Sequence, residues 1–293
     1  MEFLSVKEIA KLWNVSERTV RNYCAKNKIA GAFLTGKTWS IPADSKNPKA
    51  KNSITNNHLL NTLIKEKACK LKGGIYHKTQ VNLTYNSNHI EGSKLSEDQT
   101  RHIFETNTIG AEQVLNVDDI IETTNHFRCI DYIIDNATEK LSEAMIKELH
   151  FILKNGTSDS QKEWFKVGDY KTLPNEVGGQ ETTKPNMVAI EIKNLLDNYN
   201  AIDNKTFEQI VEFHQKFESI HPFQDGNGRI GRLIMFKEYL ANNIVPFIIT
   251  DELKYYYYRG LKEWKNEKGY LIDTCLTAQD QFKKYLEYFN IKY

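Results

Sequence analysis

Cysteine is sparse in this chain and does not cluster. Its four cysteines, at 24, 69, 129 and 275 of 293 residues, form no CxxC pair. Neither a zinc spacing nor a disulfide framework is expected from them, and reduced thiols in a cytoplasm are the natural reading. Charge bias is also missing: 39 Lys and Arg against 38 Asp and Glu leave a formal net charge of +1, which gives no global push toward nucleic acid or a membrane surface. No apolar run reaches the roughly 18 residues that would suggest a spanning helix. The opening MEFLSVKEIAKLW places charges too early for a signal peptide. No repeat of solenoid length is present. What remains is a chain that is 40% hydrophobic, enough for one large or two modest domains, expected to be soluble, cytoplasmic and without a membrane partner.

The densest chemistry lies in His221-Pro222-Phe223-Gln224-Asp225-Gly226-Asn227-Gly228-Arg229-Ile230-Gly231-Arg232. Glycines at 226, 228 and 231 allow strained backbone and exposed N–H groups, and such groups form an anion-binding concavity that most often opens a helix. Leu233 to Leu240 reads as that helix. Arg229 and Arg232, three apart, would share a helix face and could grip a polyphosphate with forked donors. Asp225 in such a loop suggests Mg²⁺, and His221 has a pKa suited to general-base work. A lone histidine beside a glycine turn is usually structural, but no helix–loop–helix turn needs all of these residues together.

HPFQDGNGRIGR resembles the signature of the Fic family, HPFx(D/E)GNGRxxR, at every defined position. The resemblance implies a mostly helical core that transfers a nucleoside monophosphate, usually AMP from ATP, to a protein hydroxyl. It would make His221 the base, Asp225 the Mg²⁺ ligand, Gly226, Asn227 and Gly228 the phosphate nest, and Arg229 and Arg232 the holders of the outer phosphates.

Residues 1–44 read as a separate unit. Ser5 and Glu8 make a capping box before a short helix from Lys7 to Trp13, and Ser16 caps a second helix from Glu17 to Lys26. Two short apolar runs flank Thr35-Gly36-Lys37, a hairpin or wing. SVKEIAKLWNVSERTVRNY and GKTWSIP resemble the winged helix-turn-helix of excisionase- and MerR-type DNA binders. Seven Lys/Arg against four Asp/Glu give this unit a net +3, a modest basic patch. Arg18, Thr19, Arg21, Asn22 and Lys37 are the candidate DNA contacts; a protein-interaction module of the same fold is the alternative. Residues 45–57 are a polar linker, and 58–293 the larger domain.

Within that domain Ser87-Asn88-His89-Ile90-Glu91-Gly92 closes a helix-like segment, with Ser87 and Glu91 on one face. Alone it reads as a glycine-capped surface helix. Beside the signature it is similar to the inhibitory pattern (S/T)xxxE(G/N) of the Fic family, in which the glutamate reaches the signature's last arginine, here pairing Glu91 with Arg232. Helices are expected to start near Ser96, over Val117–Asn136, over Leu141–Leu153, over Asn186–Asn200 and over Thr206–Ile220, and the last over Ile272–Tyr288. His126, His150 and His214 read as structural. Residues 164–185 break the helical pattern, and Val167–Tyr170, Pro174 and Gly178-Gly179 suggest a hairpin that resembles the Fic flap; an ordinary surface hairpin is the alternative. Asp251 to Asn266 reads as a helix carrying four tyrosines, 255–258, which either pack the core or stack on adenine. The resemblance points to Tyr255, Tyr258 or Leu261 for the second role.

The fold class expected is mainly α, with a short β-hairpin flap and a winged helix-turn-helix in front. The function expected is AMP transfer from ATP, with Mg²⁺, to a target protein or to the chain itself, restrained by Glu91. Duplex DNA is the expected second partner, and a homodimer is left open. Two alternatives stand: a DNA-binding regulator whose core only senses nucleotide, and an enzyme in which Glu91 activates water to remove AMP.

Overall fold

A computed structural model describes residues 3–13, 15–26, 28–36, 38–43, 45, 57–110 and 114–293. The chain divides into two units, Met1–Asn57 and His58–Tyr293. The division falls at the end of the expected linker, although residues 46–56 of that linker lie outside the described residues.

In the first unit, β1 (Phe3–Ser5) leads directly into α1 (Val6–Leu12). Ser5 caps it: Glu8 N donates to Ser5 Oγ at 3.3 Å and Ser5 N donates to Glu8 Oε2 at 2.8 Å, satisfying amides that a helix start leaves unpaired. Ser16 caps α2 (Glu17–Ala25) by accepting from Thr19 N. The expected hairpin is formed by β2 (Phe33–Thr35) and β3 (Thr38–Pro42), turning at Gly36 with φ +64°. A strand that sequence reading did not foresee is β1, which pairs antiparallel with β3, Phe3 opposite Pro42, to give the order β1-β3-β2. Three residues are too few to show an alternation. Ile9, Val20, Cys24 and Ile41 lie at the centre of this small core. Lys37, one of the candidate DNA contacts, lies outside the described residues.

Among its described residues the second unit is helical apart from one hairpin, two 3-10 turns and the connecting loops. Its helices are α3 (His58–Cys69), α4 (Ile75–Ile90), α5 (Glu97–Thr106), α6 (Val117–Asp135), α7 (Glu143–Lys154), α8 (Pro185–Asn200), α9 (Phe207–Ile220), α10 (Asn227–Ala241), α11 (Lys254–Lys262) and α12 (Gly269–Tyr288). α10 is central. It packs beside α9 and also touches α4, α6 and α7, and residues 229–240 along it are all buried. Ile130, Ile146, Ile210, Phe217, Leu233 and Phe236 join one continuous core.

Three boundaries depart from expectation. α10 begins at Asn227, six residues before Leu233, so the second half of the signature is itself helix. The segment after Thr250 opens as a 3-10 turn, Asp251–Leu253, and α11 stops at Lys262, short of Asn266. The hairpin's strands are β4 (Glu176–Val177) and β5 (Gln180–Glu181), joined at Gly178-Gly179. Val167–Tyr170 is not one of them, because Gly168 at φ +75° turns the chain there.

Phe217 lies on α9 one turn before His221 and has no exposed surface. Phe217→Ala should destabilise this unit by about 3–5 kcal/mol through lost burial and a residual cavity. Urea unfolding checks it; a loss below about 1 kcal/mol would mean the neighbouring helices collapse into the space.

Candidate active site

His221 ends α9 in the left-handed region, φ 52° and ψ 63°, with its N–H donating to Phe217 O at 3.0 Å. This abrupt turn sends the chain into Pro222 and Phe223. The Phe223 ring is fully buried and stacks on His150 at 4.0 Å between centroids. Asn227 then staples the loop: Phe223 N donates to Asn227 Oδ1 and Asn227 Nδ2 donates to Phe223 O, each at 2.8 Å. The Asn227 side chain is therefore engaged by the loop itself. Of the three signature glycines only Gly226 has positive φ, +83°. It starts α10, whose first closed amide is Ile230 N to Gly226 O at 3.0 Å. The N–H groups of Asn227, Gly228 and Arg229 are those a helix start leaves for a ligand.

Gly228 and Gly231 matter for space. A Cβ on Gly228 would stand 2.2 Å from Glu91 Oε1, and one on Gly231 would stand 2.5 Å from Glu218 Oε1. The Glu91 carboxylate thus lies directly against the first turn of α10. Arg232, 4% exposed, reaches the same place. Its Nε donates to Ser87 Oγ at 3.0 Å, and its Nη2 donates to Ser87 O at 2.9 Å and to Glu91 Oε1 at 2.7 Å. Ser87 belongs to α4 and Glu91 caps its end, followed by Gly92 at φ +102°. Ser87 and Glu91 share a face as their spacing suggested, and Arg232 meets both, the pairing that the resemblance implied. Tyr258, 41% exposed, donates from its hydroxyl to Ile90 O at 3.4 Å and so touches the end of α4.

The two arginines do not converge. Arg229 turns to Glu122 through Nη1 and to Asp225 Oδ2 at 3.0 Å through Nη2. Lys154, almost fully buried, donates to Asp225 Oδ2 at 2.7 Å, Glu122 Oε1 at 2.5 Å and Asp159 Oδ2 at 2.8 Å. Burial works to raise the Asp225 pKa, but the Arg229 and Lys154 charges override it and hold the carboxyl well below the usual range. Both cations use Oδ2. Asp225 is one carboxylate, and no group of three or more His, Cys, Asp or Glu side chains is placed to hold a metal among the described residues. That donor set fits Mg²⁺ arriving with phosphate oxygens, which needs one or two carboxylates rather than a protein cage.

Burial, with the nearby Lys171 ammonium, pushes His221 down to about 4. At neutral pH its imidazole is uncharged and can accept a proton. Burial also pushes Glu218 up to about 8, with Arg232 opposing. His214 sits on the expected buried stripe, shares a 2.6 Å hydrogen bond with the Tyr257 hydroxyl, and is pushed to about 3 by burial and Arg232. His126 and His150 are also buried, the first beside Thr84 Oγ1 at 3.0 Å, the second accepting from Gly168 N at 2.9 Å. Of the tyrosines, Tyr257 is the packing residue, with its ring 6.0 Å from the Arg232 guanidinium; Tyr255 points to solvent and Leu261 packs against the core. Glu122, Lys154, Lys171 and Glu218 escaped sequence reading. Lys154 and Glu218 left a signal at helical spacing, the first continuing the buried Ile146–His150 stripe of α7 and the second the Val211–His214 stripe of α9.

Residues 140–238 match the model of the Fic/DOC family. Over 182 residues the chain is 27% identical to protein adenylyltransferase fic-1 of Caenorhabditis elegans, covering 60% of this chain and 35% of that protein. Over 181 residues it is 28% identical to protein adenylyltransferase Fic of Drosophila willistoni, covering 61% and 35%. The chain thus spans about a third of the length of these relatives. Among solved structures, a Fic domain containing signaling protein from Bacteroides thetaiotaomicron superposes with a TM-score of 0.58 at 26% identity, over 78% of this chain and 90% of that one. A Fic family protein from Desulfovibrio desulfuricans gives 0.60 at 19% identity, over 86% and 78%, and shares the fold.

The buried histidines of the second unit set a pH dependence. His150, His214 and His221 are held at about 3, 3 and 4, against about 6.5 in an unfolded chain. Between these values the unfolded state binds more protons, so stability should rise as pH increases from about 4 to 6.5. Glu218, raised to about 8, works in the opposite sense but is one group against these three and His126, which burial also lowers. Urea midpoints measured at steps across that window should climb; a flat or falling profile would show that these histidines are protonated in the fold.

Proposed function

We propose that this chain transfers AMP from ATP to a hydroxyl of a protein, and that Glu91 restrains it. The observation that carries the reading is the seat of the Glu91 carboxylate: on Arg232 at 2.7 Å, against the first turn of α10 at Gly228. A tethered carboxylate is placed where a helix start and a guanidinium would otherwise receive a phosphate.

In this reading the N–H groups of Asn227 to Arg229 hold phosphate oxygens, and Arg232 holds the outer phosphate once Glu91 has left. Asp225 would hold Mg²⁺ together with phosphate oxygens, and when bound the ion would supply neutralisation of the phosphate charge. His221, neutral at pH 7, takes the proton from the attacking hydroxyl. That oxygen bonds to the α-phosphorus as the bond to the β-phosphate oxygen breaks. The paired state of Arg229 makes it the holder of Asp225 first and a phosphate donor second. Tyr258, at the mouth beside Ile90, is the candidate for the adenine side. β4 and β5 have short exposed edges that suit strand addition by an extended target segment.

Labelling with radioactive ATP tests this. His221→Ala should lose roughly 10²–10⁴-fold of transfer. Glu91→Gly should raise labelling strongly, on the order of 10²-fold if the glutamate acts by misaligning the phosphates, while the ATP dissociation constant changes less. Glu91→Gly with Arg232→Ala should fall back, because the outer phosphate loses its donor. Equal labelling of wild type and Glu91→Gly would return Ser87–Gly92 to a plain helix end.

For the first unit we propose duplex DNA as the partner. The support is a capped helix pair in which Arg18, Arg21 and Asn22 project to solvent from the second helix. Thr19 is held back by its hydrogen bonds to Ser16, and Arg21 is paired with Glu17 at 2.6 Å. Arg18→Ala in the full chain should weaken binding by about 1–3 kcal/mol if it reads a base, as seen by fluorescence anisotropy on DNA from upstream of the chain's own gene. No salt-dependent binding at all would make this unit a protein-interaction module.

A further inference from the structure

Lys171 stands out among the buried charges. Three lysines are buried among the described residues: Lys154, Lys171 and Lys237. Lys154 meets three carboxylates and Lys237 meets Glu238. Lys171, 4% exposed, meets only neutral oxygens: Asn175 Oδ1 at 2.7 Å, Thr182 Oγ1 at 2.6 Å and Ile220 O at 3.4 Å. A buried ammonium without a counter-charge is costly, and burial lowers it to about 8. A methionine would fill the same space without that cost.

Its three acceptors indicate what the charge does. Asn175 and Thr182 are the two ends of the β4–β5 hairpin and are joined by Thr182 Oγ1 donating to Asn175 O at 2.9 Å. Ile220 is the residue before His221. The same stretch is laced to the loop after His221: Lys171 N donates to Pro222 O at 2.9 Å, Leu173 N to Gln224 Oε1 at 3.3 Å, and Asn175 Nδ2 to Phe223 O at 3.0 Å. The ammonium sits where the hairpin base and the histidine loop meet.

We propose that Lys171 is a positioning residue: its ammonium pins both ends of the hairpin to the carbonyl preceding His221, so that a segment laid on the hairpin is delivered in line with the base. This rests on the transfer reading above. The charge has a second effect on the same histidine. The groups facing His221 are Lys171, the Glu218 backbone, Glu91 and Asp225. Of the side chains, only Lys171 is cationic, and it favours the neutral imidazole, the form a base needs.

The test uses the full chain and two variants. Lys171→Met removes the pin and the charge; Asn175→Ala removes part of the pin and keeps the charge. By NMR in the absence of nucleotide, the His221 titration midpoint should move up in Lys171→Met and stay in place in Asn175→Ala. Amide hydrogen exchange over residues 172–182 should speed up in both. In a Glu91→Gly background, labelling by radioactive ATP should fall by about 10²-fold in Lys171→Met with the ATP dissociation constant unchanged. An unmoved His221 midpoint, unchanged exchange in the hairpin, or a loss of labelling matched by a loss of ATP affinity each overturns the proposal. If Glu91→Gly does not label at all, the transfer reading fails, and the midpoint and exchange still decide whether Lys171 positions His221.

Discussion

The start of α10 gathers more positive charge than the protein can leave alone. Three open amides, the end of the helix dipole, and the guanidiniums of Arg229 and Arg232 are packed within two turns, and both arginines are buried. A buried guanidinium stripped of its partner costs about 3–5 kcal/mol, so an anion has to be present at every stage. In the structure Ser87 and Glu91 serve Arg232, and Glu122 and Asp225 serve Arg229. On the transfer reading, a phosphate is held by Arg232 only by taking over what Glu91 gives up. Under the proposed function, restraint and catalysis are two ways of meeting one electrostatic demand, which is why the restraining group is a carboxylate and why it sits on the chain's own helix.

The same positive field prepares the other groups. It keeps Asp225 ionised despite burial; His221 is kept neutral by burial first and by the Lys171 ammonium second. Lys154 ties Glu122, Asp159 and Asp225 into a single knot beneath the loop. Hydrogen bonds to ionised groups are stronger than neutral ones, and a network satisfied on every side holds its members in place. α4 is anchored independently: Asn88 Nδ2 donates to Thr123 Oγ1 at 3.2 Å, and Asn86 Oδ1 accepts from Asp251 N at 3.3 Å. Glu91 sits one residue past the last turn of this anchored helix, and its carboxylate reaches the arginine with a side chain that is 29% exposed. Such a group can swing away without unfolding the helix.

Local rules made much of this chain legible before any fold was known. Ser5, Ser16, Ser96 and Ser142 cap the helices that follow them, because a cap is a contact between residues two or three apart. The inward faces of α6, α8 and α9 follow the 3.6-residue spacing. The pairing of Glu91 with Arg232 was legible only through resemblance to a family pattern, since nothing in the spacing of residues 141 apart joins them.

By itself the sequence determined the helical class, the break near residue 57, and which candidate groups lie together between His221 and Arg232. It did so because periodicity, capping and turn chemistry are set by near neighbours. Only the tertiary structure decided how those groups are partnered. Arg229 and Arg232 share a helix yet face different carboxylates, because α6 brings Glu122 to one and α4 brings Ser87 and Glu91 to the other. Asn227 is spent on its own loop, Lys171 lies under the hairpin base, and β1 closes a sheet with β3. Each of these depends on which distant segments burial has pressed together, and a burial contact leaves no mark on the spacing of residues along the chain.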